Sequence, residues 1–101
     1  MKRRQLTLDM GYRPDEFAQT LQGGFCSAEP RLQCHGSLPE WILEDANGLK
    51  TRLHIAPLPE RRIGMLRLPR LQVELEMTAD AESSIDDFLQ RFHRHFHKGG
   101  G

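Results

Sequence analysis

The sequence predicts an α+β two-layer sandwich: a mostly antiparallel sheet of five to six strands with two helices on one face, in the order β-α-β-β-β-β-β-α. Three observations carry this reading. Short stretches such as Gln5–Met10 and Leu71–Met77 alternate apolar and polar residues, the period of half-buried strands. Ile85, Phe88, Leu89, Phe92 and Phe96 instead fall at helical spacing and make one apolar stripe near the end of the chain. A length of 101 residues supports one core, so both helices must cover the same apolar sheet face.

Taken in order, Leu6, Leu8 and Met10 alternate in the first strand, and Gly11 ends it. Pro14 suits the first turn of a helix, and Asp15 and Glu16 suit its positive end. Phe17, Ala18 and Leu21 share a face, and Gly23-Gly24 is expected to stop this helix after about two turns, with Phe25 closing the cap. Arg31–His35 reads as a short strand with Leu32 and Cys34 on one side. Trp41–Asp45 and Leu49–Ala56 read as a hairpin. A three-residue Ala46-Asn47-Gly48 loop places Trp41 and Leu43 with Thr51, Leu53 and Ile55, and sets Glu44 opposite Lys50 and Glu40 opposite His54. Pro57-Leu58-Pro59 reads as a loop, and Ile63–Leu68 with Leu71–Thr78 as a second hairpin around Pro69-Arg70. That turn puts Leu66 and Leu68 on the face of Leu71, Val73 and Leu75. Ser83 or Ser84 is expected to cap the last helix. One domain, 1–98, is expected, followed by a disordered glycine tail, 99–101.

Charge is balanced overall, with 14 Lys plus Arg against 14 Asp plus Glu, which removes any global attraction to nucleic acid or acidic membrane. Its distribution is uneven. Between Lys50 and Arg70 six basic residues face a single acid, Glu60, whereas Leu71–Asp87 carries six acids and no base. Neighbouring strands are expected to neutralise one another across the ladder. No apolar run approaches the roughly 18 residues of a membrane-spanning helix. The Met-Lys-Arg-Arg start leads into an alternating segment rather than an apolar one, so a cytoplasmic location is expected.

No G-x-S-x-G, P-loop, G-x-G-x-x-G or Cys-x-x-Cys motif occurs, and no catalytic residue is assigned. Cys34 shares a face with Leu32 and reads as a buried thiol, with a bond to Cys26 as the lesser alternative. His93 and His97 stand four apart on the last helix, a spacing that can hold a metal ion. They read instead as histidines bordering the apolar stripe near the helix's negative end, and no cofactor is expected. The uncovered sheet face is the candidate binding surface, with Arg31, His35, Arg52, His54 and Arg67 as its residues. That face lacks the stacking aromatics of single-strand nucleic-acid platforms, which weighs against nucleic acid as the partner. The resulting expectation is a non-enzymatic binding or adaptor domain for an unknown protein or small ligand, with no membrane as partner, acting through the open face or a sheet edge, alone or as a homodimer. The alternative is a small-molecule site between helices and sheet near Trp41, Phe92 and Phe96.

Overall fold

The structure, a computed structural model, describes residues 1–96. It consists of β1 (Lys2–Met10), a continuous helical segment made of α1 (Pro14–Gln19), wide π-type turns (Thr20–Phe25) and α2 (Cys26–Ala28), then β2 (Leu32–Ser37), β3 (Glu40–Asp45), β4 (Lys50–Ile63), β5 (Leu66–Ala79) and α3 (Glu82–His95). The five strands form one antiparallel sheet in the order β1-β5-β4-β3-β2, with the helices on one face. The α+β class is as expected. No described helix is long and apolar enough to cross a membrane.

Alternation sorts the side chains. Met10, Leu43, Leu53, Ile55, Leu71, Val73, Leu75 and Met77 are buried on the helix-facing side. The hairpin of β3 and β4 pairs Trp41 with Leu53, Glu44 with Lys50 and Glu40 with His54, the register set by a three-residue loop. Gly48 takes φ +85°, where a side chain would be strained, and its N–H donates to the Asp45 carbonyl.

The helices meet the sheet through aromatic rings. Phe92 and Phe96 stack at 4.6 Å between centroids, and Phe96 stacks on Phe17 at 4.8 Å. Phe25 meets Phe88 and Phe92 edge-on, each at 5.9 Å. This explains why Gly23-Gly24 does not end the first helix. Phe17, Leu21 and Phe25 are all buried at four-residue spacing. Burying Phe25 outweighs the roughly 1 kcal/mol helix penalty of each glycine. Gly24 is also packed closely: a Cβ there would lie 2.6 Å from His95 Nε2. The segment ends just before Pro30.

Three other expectations are corrected. Neither Ser83 nor Ser84 caps α3, which starts one turn earlier with Ala81 at the cap position and the Ser84 N–H on the Ala81 carbonyl. Arg4 joins that first turn instead, bonding Asp86 at 2.6 Å and Glu82 at 3.3 Å. Cys26 and Cys34 form a disulfide that ties α2 to edge strand β2. Finally, the described residues form five strands, within the expected five to six, but the expected boundaries of the last two change. Pro57–Pro59 is strand rather than loop, and β4 and β5 run on together to a turn at Gly64-Met65 instead of turning at Pro69-Arg70. Gly64 has φ +61° and Met65 a negative φ, the pattern of a type II′ hairpin turn.

Two outcomes test this fold. Closing the short loop between Cys26 and Cys34 restricts the unfolded chain, and on the loop-entropy scale its loss costs about 2–3 kcal/mol. Reduction, or Cys26→Ser with Cys34→Ser, is expected to lower the denaturation midpoint accordingly while circular dichroism keeps its native shape. At Gly36, with φ +117°, a Cβ would meet the Glu40 carbonyl oxygen at 2.5 Å, whereas at Gly23 it would meet nothing within 4 Å. Gly36→Ala is therefore expected to destabilise the protein, and Gly23→Ala to stabilise it by about 0.5–1 kcal/mol, both read by urea titration.

Candidate functional site

Pairing lines up rows of side chains across the five strands on the open face. One row runs Gln5, Glu76, Arg52, Ile42, His35, and the next runs Thr7, Glu74, His54, Glu40, Ser37. Of the residues expected at the site, His35, Arg52 and His54 share this surface. Arg31 lies in the turn before β2, off the strands. Arg67 lies on the distal part of β5, far along the hairpin from Arg52.

The face mixes both signs of charge. Glu40, Glu74 and Glu76 stand among the cations, and Arg52 Nε donates to Glu40 Oε1 at 2.6 Å. That bond, then the charges of Glu40 and Glu76, hold the Arg52 guanidinium above its ordinary value. Gln72 Nε2 donates to Glu74 at 2.8 Å. A shallow hollow of about 260 Å³ is lined by Gln5, Glu40, Arg52, His54, Glu74 and Glu76. Cross-strand neutralisation is met here: Arg52 opposes Glu76 and His54 opposes Glu74.

The arm beyond the sheet body is different. Past Leu58 and Arg70, β4 and β5 have only each other as neighbours, and the molecule extends 47 Å along its longest axis against 23 and 21 Å across. A bulge between Leu58 and Arg61 lies in β4, while β5 continues without a break. Because β5 is unbroken, Leu66 and Leu68 fall on the opposite side from Leu71, in line with Arg70 and Gln72 of the open face. With Ile63 and Arg61, their partners across the strands, they form an exposed strip: Ile63 is 55% exposed, Leu66 64%, Leu68 42%, and Met65 at the tip is fully exposed. Arg62 and Arg67 oppose each other on the other side of the arm. Like charges so placed repel, and among the described residues neither is held in a salt bridge, while Arg61 adds to the field on Asp9. At the arm's base Arg70 holds Asp9 at 2.6 Å, and this bond keeps the Asp9 carboxyl below its ordinary range.

On the helix side, Arg91 joins three elements, meeting Glu29 at 3.2 Å, Asp45 at 3.3 Å and Asp87 at 3.3 Å. Burial draws its guanidinium down, but the Glu29, Asp45 and Asp87 carboxylates more than offset this. Asp45 also accepts the Asn47 N–H at 3.1 Å, so one carboxylate shapes the hairpin turn and anchors α3. Of the region expected as an alternative pocket, the Phe92 and Phe96 side is filled by these rings with Phe17 and Tyr12, while a hollow of about 350 Å³ borders Trp41 beside Gln22, Leu32 and the disulfide. His93 is exposed, His95 packs on Phe25, and His97 lies outside the described residues. Among the described residues no group of three or more His, Cys, Asp or Glu is placed to hold a metal ion.

No family model, curated protein or solved structure matches the chain.

The arm was missed because its apolar residues read as core. The available signal was the clustering of Pro57, Pro59 and Pro69, which belongs at strand edges and bulges rather than inside a covered sheet. The Arg91 cluster gives a contrast with the open face. Arg91→Ala strands Asp45, whose side chain is only 7% exposed, and is expected to cost about 1–3 kcal/mol in a denaturation experiment. Arg52→Ala, on an exposed pair, is expected to change stability by no more than about 0.5 kcal/mol.

Proposed function

We propose that this chain is a non-enzymatic binding or adaptor domain that engages its partner through the projecting β4–β5 arm and the adjoining part of the open sheet face. One observation carries the reading. Outside the arm, Met1 and Leu38 are the exposed large apolar residues among those described, and they stand apart, while Ile63, Met65, Leu66 and Leu68 stand exposed together at the far end of one hairpin. Exposed apolar clusters of this kind mark interaction sites. The open face supports the reading in a lesser way. Opposite charges face each other across its strands, and in its shallow hollow Arg52 is held by Glu40 and Glu74 by Gln72.

The alternative, a ligand held between helices and sheet, is supported by the hollow of about 350 Å³ beside Trp41 and the disulfide, but Phe92 and Phe96 do not line it. The homodimer expectation draws support only from the exposed arm. A cytoplasmic location belongs to the proposal in a specific form: in a reducing compartment positions 26 and 34 would be thiols, and the bond between them would persist in an oxidising one.

Site-specific photocrosslinking in the chain's own host tests the reading. A photoreactive residue in place of Leu66 is expected to give covalent adducts on irradiation. The same residue in place of Ser83, at the start of α3 and away from the arm, is expected to give none. Absence of adducts from position 66, with the protein folded and present, would sink the proposal.

A further inference from the structure

We infer that the arm is a membrane-docking hairpin that inserts its apolar tip into the surface of an anionic bilayer while its arginines bind lipid headgroups. This rests on the binding-domain reading above and names the partner. The order of residues along the arm is the main argument. Ile63, Met65 and Leu66 occupy its end, all exposed. One step behind them stand Arg62 and Arg67, and one step further back Arg61 beside Leu68. A strand advances about 3.3 Å per residue, so with its turn the apolar tip projects about 5–7 Å beyond the level of Arg62 and Arg67. That matches the roughly 5–10 Å depth at which interfacial apolar groups sit beneath the headgroups. The arginines then lie where anionic headgroups concentrate.

The second argument is electrostatic. Some cations of the body are held by carboxylates: Arg4 meets Asp86, Arg52 meets Glu40 and Arg70 meets Asp9. On the arm, Arg62 directly opposes Arg67, and among the described residues neither is held in a salt bridge, while Arg61 lies within electrostatic reach of Asp9. A phosphate between two opposed arginines relieves that repulsion, and guanidinium groups bind phosphate oxygens in bidentate fashion.

The third argument is shape. A two-stranded arm at one end of a 47 Å molecule can touch a flat surface with its tip alone. The carboxylates of the open face, including Glu74 and Glu76, then stay clear of the anionic layer. A nucleic-acid groove would enclose the arm along its length and bring phosphates towards those carboxylates. A second copy stacked arm on arm would bring two sets of unpaired arginines together. Strand addition along the arm's edges is opposed by Pro59, Pro69 and the bulge.

Sedimentation with lipid vesicles tests this, using the full chain and either phosphatidylcholine alone or phosphatidylcholine with phosphatidylglycerol. Binding is expected to the phosphatidylglycerol vesicles only, and to weaken as salt rises. Arg62→Gln and Arg67→Gln are each expected to lower partitioning about fivefold, from the roughly 1 kcal/mol that a basic residue gains near an anionic surface. Met65→Asp with Leu66→Asp is expected to abolish it. All these positions lie outside the core, so unchanged circular dichroism and melting temperature show that the variants fold. A fluorophore attached at position 65 through Met65→Cys, in a Cys26→Ser, Cys34→Ser background that retains its native spectrum, is expected to shift to the blue on binding. The inference is overturned by equal partitioning to both vesicle types, by no partitioning at low salt, or by partitioning that the aspartate pair leaves intact. It is also overturned if Leu66 mediates only self-association by sedimentation velocity, or only binding to a duplex or single-stranded oligonucleotide. Protein adducts from position 66 without vesicle binding would remove the membrane inference and leave the binding-domain reading standing. Neither adducts nor vesicle binding would remove both.

Discussion

Five phenylalanines from two helices interlock over one sheet face, and most other features of the molecule accommodate that contact. Phe88, Phe92 and Phe96 descend α3 in successive turns, and Phe17 and Phe25 enter between them from the first helical segment. To keep both of its rings in the interface, that segment stays helical through two glycines and widens into π-type turns. The disulfide then ties its end to β2, and Arg91 ties α3 to the same end and to the β3–β4 turn. The non-aromatic contacts thus lie at the margins of the aromatic layer, where solvent would otherwise enter. Buried rings of this size contribute a large share of apolar burial, with added preference for the edge-on and offset arrangements seen here.

The same layer fixes how far the covered sheet extends. It ends near Pro57 and Leu71, but β4 and β5 do not. Beyond that point no described helix lies over either side of the ribbon, and alternation no longer separates inside from outside. Residues suited to a core become exposed, and Arg62 faces Arg67 where Arg52 had faced Glu76. Both unusual properties of the arm, its apolar strip and its unpaired arginines, follow from strands that outlast their cover. Prolines and a bulge along the arm restrict backbone pairing with other chains, so recognition there falls to side chains.

Charge shows how strongly context acts. The run of bases followed by a run of acids does produce cross-strand neutralisation in the body, where Arg52 faces Glu76 and His54 faces Glu74. The two longest strands fold back on each other, so the distal bases face one another instead. A single block of basic sequence becomes a paired face at one end and an unpaired one at the other. Arg52 and Arg67 were grouped as members of one surface; they lie on opposite sides of the ribbon as well as far apart along it.

The sequence by itself determined the class of fold, the apolar stripe of α3 and the register of the β3–β4 hairpin. Each depends on local periodicity or on the turn chemistry of Asn47-Gly48, which acts over a few residues. His35, Arg52 and His54 were likewise assignable to the open face from alternation alone. Tertiary structure decided the matters of competition and distance. Whether Gly23-Gly24 stops a helix depended on what Phe25 could bury. Whether Cys26 meets Cys34 depended on the path between helix and strand. Whether Leu66 and Leu68 are core or surface depended on the turn lying at Gly64-Met65 rather than Pro69-Arg70. An odd step in parity moves every side chain of a strand to the other face, and nothing in the residues themselves marks where the covering helices end.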